Sequence, residues 1–204
     1  MDDMILPLGP LGQQLRFVVE VDRLKQVLRQ TLLMDGSRRE NSAEHSWHLA
    51  LMAVVLAEHA GGAVDQRRVL EMLLLHDVVE VDAGDTFAFD LVANHSRAER
   101  EQAAAVRLFG LLPGEQGHAL RALWEEFESG ATPEARFANA LDRLEPLLCN
   151  YLTQGGTWKR YGVARDAVLR RMAPIETGAP PLWPFVLRVI DAACAAGYIA
   201  ECAG

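Results

Sequence analysis

Apolar residues recur along this chain at intervals of three and four, the period of a helix with one buried face. Phe17, Val21, Leu24 and Leu28 predict a first helix over about 15–33, ended by Asp35-Gly36-Ser37. A second helix starts near Asn41, because Asn41 and Glu44 have the spacing of a capping box. It carries Leu49, Met52, Ala53 and Leu56 on one side and stops by Gly61-Gly62. Asp65 is the N-cap of a third helix, with Val64 before it as a hydrophobic staple. That helix is expected to run to about Val81, with Ala83-Gly84-Asp85 as its break. Further helices are expected over 97–109, around Leu120, Leu123, Trp124 and Phe127, and from Thr132-Pro133 past Asp142 to Leu152. Two more cover 163–172 and 184–196, with the Pro-rich Gly178-Ala179-Pro180-Pro181 between them. No stretch sustains the period-two alternation of a half-buried strand. The expected fold class is all-α: a single-domain helical bundle over 1–204, with its core in about 15–153 and C-terminal helices in 163–198.

Composition narrows the partners. A chain of 204 residues that is 50% hydrophobic suits one domain with a sizeable core. The net charge of -8 comes without any basic tract, which argues against long nucleic acid, since clustered Lys and Arg supply most of that affinity. A small phosphorylated substrate is compatible, because one metal ion and a few local arginines can hold it against an unfavourable overall field. Cys149, Cys194 and Cys202 are scattered, with no CxxC spacing, and read as buried or incidental thiols rather than a disulfide framework or a zinc site. The start Met1-Asp2-Asp3-Met4 lacks the basic segment of a signal peptide, and no apolar run nears the ~18 residues of a membrane span. The expected location is cytoplasmic, without membrane association.

The chemistry concentrates at His76-Asp77, inside the very apolar Leu73-Leu74-Leu75-His76-Asp77-Val78-Val79-Glu80. Burying a carboxylate without a partner costs several kcal/mol, and a metal ion beside a neutral imidazole would supply that partner. Val69, Leu73, His76 and Glu80 share one helical stripe, with Asp77 at its edge. His45 shares the apolar stripe of Leu49, Met52 and Leu56 on the second helix. Asp142 is the best candidate for a fourth ligand, on the side of its helix that carries Ala138, Leu141 and Glu145. Two imidazoles and two carboxylates suit a divalent metal such as Co, Mn, Fe, Zn or Ni. Pro146 has no amide hydrogen for the Asp142 carbonyl, so a kink is expected there. His48, His59, His95 and His118 have no such phasing, and Trp47 reads as core or dimer packing.

Arg39-Glu40-Asn41-Ser42-Ala43-Glu44-His45-Ser46 resembles the ENxAEHS segment of the 5'-deoxynucleotidase family within the HD-domain superfamily of metal-dependent phosphohydrolases. His76 through Asp85 resembles that family's HDxxExxxGD segment, and the similarity runs from about Leu15 to Tyr151. The resemblance implies an all-helical HD domain, usually a homodimer, that hydrolyses nucleoside 5'-monophosphates at a divalent cation (Mg joining the metals above). His45, His76, Asp77 and Asp142 match the ligands. Glu80 and Asp85 match acidic residues needed for catalysis or for additional cations: Glu80 to take a proton from the attacking water, Asp85 to protonate the leaving alkoxide or hold a second cation. Arg38 and Arg39 are candidates to bind the substrate phosphate, as are Lys159 and Arg160. Bacterial deoxynucleotidases carry an arginine–tryptophan pair ahead of the first histidine. Here the comparable stretch is Arg29-Gln30-Thr31-Leu32, so the choice between deoxyribose and ribose is open. The rival readings are an HD phosphodiesterase, another phosphomonoesterase, or a non-catalytic nucleotide- or metal-binding regulator. Glu80 and Asp85 argue against the last, since simple binding needs neither.

Overall fold

The computed structural model describes residues 7–89 and 95–200. The fold is all-helical apart from one small hairpin. Helix α1 (Pro10–Val21) passes through a 3-10 turn (Asp22–Gln26) into strand β1 (Leu28–Leu32). Strand β2 (Arg39–Asn41) pairs antiparallel with it, Leu28 opposite Asn41 and Leu32 opposite Arg39. The hairpin corrects the first helix expected to reach residue 33. Leu24 and Leu28 keep helical spacing, but the pairing with β2 decides the conformation. Arg39 reinforces it by donating to the carbonyl oxygens of Leu28 (2.7 Å) and Arg29, groups that an edge strand would otherwise leave open.

Helix α2 (Ser42–Val55) begins at the anticipated capping box. The Asn41 side chain accepts from the Glu44 amide at 2.9 Å, and the Glu44 carboxylate accepts from the Asn41 amide at 3.3 Å. Helix α3 (Gln66–Leu75) starts at Asp65, whose carboxylate caps the Arg67 and Arg68 amides. It stops before the expected Val81. From His76 to Val79 the chain is a turn, with Val78 donating to Leu75 and Glu80 to Asp77, three residues back, before the short α4 (Glu80–Ala83). The change of hand-off lets one segment serve two cores. Met72 and Leu73 pack into the main cluster with α2 and the C-terminal helices, whereas Val78, Val79 and Val81 pack with Leu24, Leu108, Phe109 and Trp124. His76, Asp77 and Glu80 fall on the seam.

Helices α5 (Arg97–Phe109) and α6 (Gly114–Ser129) lie where the periodicity placed them. Helix α7 (Pro133–Leu152), capped by Thr132, is the central element. It buries Phe137, Leu141, Leu144 and Leu147 and touches α2, α3, α6 and β1. Pro146 is accommodated inside this continuous helix. Then come α8 (Gly156–Tyr161), α9 (Arg165–Met172), α10 (Pro174–Gly178) and, after a 3-10 turn at Pro180–Leu182, α11 (Trp183–Ala195). The stretch expected to be a Pro-rich loop is thus partly helical. Gly178 sets the approach of α10 to α7, for a Cβ there would lie 2.1 Å from the Arg136 carbonyl oxygen. No described helix is long and apolar enough to cross a membrane. Cys149 is buried and Cys194 half-buried; Cys202 lies outside the described residues.

Candidate metal centre

Three elements aim side chains at one point. His45 comes from the first turn of α2, His76 and Asp77 from the turn after α3, and Asp142 from the middle of α7. All four are buried. His45 Nε2 lies 3.0 Å from Asp142 Oδ1, and His76 Nε2 lies 3.8 Å from the same oxygen. His45, His76 and Asp142 each offer a ligand atom within 4.8 Å of the others. Asp77 joins through Oδ1, 3.1 Å from His76 Nε2, while its Oδ2 accepts from Arg29 at 2.7 Å.

His76 tests whether a cation fits here. Its Nδ1 sits 2.9 Å from the Leu73 carbonyl oxygen, so that nitrogen carries the proton. Burial pushes the ring's pKa down, keeping it neutral. The Nε2 lone pair is then buried without a hydrogen-bond partner and faces two carboxylate oxygens. A divalent cation among these atoms would resolve that juxtaposition, so the donor set fits one.

His45 shows a second layer that the sequence reading did not single out. Its Nδ1 faces Glu145 Oε2 at 3.3 Å and Glu40 Oε2 at 3.4 Å, both buried. Burial and the Arg29 cation oppose a charge on this ring, but the bonds with Asp142, Glu145 and Glu40 outweigh them and raise its pKa well above the usual value. With two buried carboxylates facing its Nδ1, the ring presents Nε2 toward Asp142 and His76. Glu145 in turn accepts from the Cys149 thiol at 2.8 Å and has His48 Nδ1 at 3.7 Å. Burial opposes its charge, yet His45 and His48 hold its pKa far below the carboxylate range. Glu145 stands three residues after Asp142, on the side of α7 already marked by periodicity. That spacing was the available signal.

Glu80 and Asp85 line the same cavity as Asp77 and Asp142. Glu80 accepts from Ser42 Oγ at 2.6 Å; burial and the Asp77 charge raise its pKa well above normal. Burial also raises Asp85, with Arg29 opposing. Gly84, at φ +72°, ends α4 in a conformation that side-chain-bearing residues rarely adopt, and so turns Asp85 back to the cavity.

The arginines are distributed differently from expectation. Arg38 forms a two-pronged pair with Glu44 on the surface, and Arg39 clamps the hairpin carbonyls. Lys159 stacks on Tyr198 and Arg160 on Tyr161. The cavity cations are instead Arg29, Arg97, Arg143 and Arg171. Arg29 is pinned by Asp77, and Arg143 bonds the outer oxygen of Asp142. Trp47, read as core or dimer packing, is 65% exposed, which excludes the core role.

An HD domain family model matches residues 21–183. The human 5'-deoxynucleotidase HDDC2 is 30% identical over 135 residues, covering 66% of this chain and 65% of that protein. A 5'-deoxynucleotidase of Yersinia pestis (strain Pestoides F) is 30% identical over 144 residues, 67% of this chain and 70% of its own. The chain therefore spans about two thirds of the length of these curated relatives. A crystal structure described as a predicted metal-dependent phosphohydrolase from Magnetospirillum magnetotacticum MS-1 is 54% identical, with TM-score 0.89 over 94% of this chain and 98% of that one. A conserved hypothetical protein from Pyrococcus furiosus shares the fold at 19% identity and TM-score 0.62, covering 89% of this chain and 99% of its own. Extended likeness thus coincides with the convergence of His45, the His76-Asp77 pair and Asp142, and the chain belongs to the HD-domain family, among its 5'-deoxynucleotidase-like members.

Proposed function

We propose that this protein is a metal-dependent phosphomonoesterase that removes the 5'-phosphate of nucleoside monophosphates, ribo- or deoxyribo-. The observation that carries this reading is one cavity in which a cation-fitting cluster, the buried Glu80, the half-buried Asp85 and several arginines meet. His45, His76, Asp77 and Asp142 would hold a divalent cation, which supplies Lewis acidity and lowers the pKa of a bound water, from 15.7 toward ~7 in the best-known zinc case. The chain's own groups do the rest. Glu80, aligned by Ser42, accepts a proton from the attacking water. Asp85 returns one to the leaving alkoxide or holds a further cation. Arg29 and Arg143 balance the charge of Asp77 and Asp142 and orient their oxygens.

The far wall supports a nucleoside rather than a bare alkyl phosphate. Phe87 and Phe89 line the cavity, and Phe87 packs on Phe89 and Tyr161 with ring centroids 5.5 and 4.4 Å away. Flat apolar rings of this kind suit a nucleobase. The names of the relatives, 5'-deoxynucleotidase, point the same way. Two copies would pair through the exposed apolar stripe of α2, Trp47, Leu51, Val54 and Val55.

The test is phosphate release from a panel of ribo- and deoxyribonucleoside monophosphates, with Co, Mn or Mg supplied after chelation. Release from 5'-monophosphates is expected, and silence with every metal and substrate would sink the reading. Glu80→Gln is expected to keep its metal content and lose turnover by at least about a hundredfold, the usual scale of general acid–base catalysis.

A further inference from the structure

Four arginines line the cavity, and three are already matched with acids. Arg29 bonds Asp77 at 2.7 Å, Arg97 bonds Glu101 at 2.6 Å, and Arg143 bonds Asp142. Among the described residues no carboxylate forms an ion pair with the fourth, Arg171, in the last turn of α9. It is half-buried, whereas its neighbour Arg170 is exposed. Arg171 lines both the metal-side cavity and an adjoining groove formed with Ala88, Phe89 and Tyr161. Burial and the Arg143 cation both work against its charge, lowering its pKa to about 9. A guanidinium still remains protonated at neutral pH. The fold therefore places a poorly solvated cation on the wall of a cavity that already holds its own acid–base pairs.

We propose that Arg171 is a substrate-binding residue whose guanidinium grips the phosphate of the substrate, and the inorganic phosphate left after hydrolysis, with two hydrogen bonds. This rests on the phosphomonoesterase reading. The chemistry follows from the charges. A planar fork of donors matches two oxygens of a phosphate, and a desolvated cation gains most from an anion that comes to it. Arg29, Arg97 and Arg143 keep free N–H donors, but each already shares its charge with a carboxylate, whereas no described carboxylate pairs with Arg171.

Three variants separate this role from a structural one: Arg171→Met, Arg171→Lys, and Arg170→Met as a control for local charge. Inorganic phosphate is titrated calorimetrically into each protein, chelated and then Mn-loaded, and steady-state kinetics are run on a nucleoside monophosphate. For Arg171→Met the dissociation constant for phosphate and KM are expected to rise together by roughly tenfold to a hundredfold, the worth of a charged hydrogen-bond pair. kcat is expected to change less. Arg171→Lys, which keeps charge but not the fork, is expected to fall between, and Arg170→Met to match the wild type. Unchanged phosphate affinity and KM in Arg171→Met overturn the assignment. If that variant does not fold, Arg171→Lys decides, and wild-type constants there overturn it equally. A wild-type protein that hydrolyses no monophosphate would overturn the functional reading instead, while the phosphate titration still reports on Arg171.

Discussion

His45 bonds Asp142 through Nε2 and faces the Glu40 and Glu145 carboxylates with Nδ1. In the proposed metal centre, the acids behind His45 would fix its ring and make Nε2 a better donor to the cation. Glu145→Gln keeps the shape but removes the charge behind the ring. Its metal affinity is expected to fall tenfold to a hundredfold, the usual cost of losing such support, as read by competition with a chelating dye. An affinity equal to wild type would mean that Glu145 only packs. Asp142→Ala removes a proposed ligand and is expected to leave substoichiometric metal after dialysis. Of this layer, His45, His76, Asp77 and Asp142 were legible because polar groups on apolar stripes stand out. Glu40 and Arg29 were not, because an acid or arginine in a strand looks like a solvated surface group until its neighbours are known; Glu145 was marked by its place on the Asp142 side of α7, but its contact with His45 was not.

At the level of elements, the capping box does two jobs. It satisfies the first amides of α2 and fixes where the first turn begins, hence where His45 points. Asn41→Ala is expected to cost about 1 kcal/mol of stability, measurable as a lower urea midpoint with unchanged slope. No loss would show that packing alone starts the helix. The same box was readable in advance, as were the caps at Asp65 and Thr132, because capping depends on residues three apart. The hairpin was not. Its strands are short and lack alternation, and they are stabilised by each other and by Arg39, across a turn of chain that no local period reveals. The break at His76 escaped for a related reason. Val78, Val79 and Val81 fit the helical pattern, but a second core draws them off the axis of α3.

Across the whole molecule, the proposed metal centre would tie stability to a bound cation through the buried acids of the seam. A ligand that binds only the folded state at a hundredfold above its Kd adds about 2.7 kcal/mol. At about 2–4 °C per kcal/mol for a chain of this size, Mn or Co added to chelated protein is expected to raise Tm by roughly 5–10 °C. A flat response to every divalent metal would count against the centre. The apolar stripe of α2 gives a second expectation: wild type runs as a dimer in light scattering, and Trp47→Glu runs as a folded monomer, since Trp47 is 65% exposed within one chain. A monomeric wild type would remove the pairing.

The sequence by itself determined the helical periods, their caps and the inward direction of His45, His76 and Asp142, because these depend on residues within a turn or two of one another. Tertiary structure decided which acids and arginines face the site: it committed Arg38 and Arg39 to surface and hairpin bonds, brought Arg29 and Arg171 to the cavity, and stood Glu40 and Glu145 behind His45. The reason is physical. The chemistry of a long charged side chain is set by the partner at its far end, and that partner is supplied by packing of segments distant in the chain.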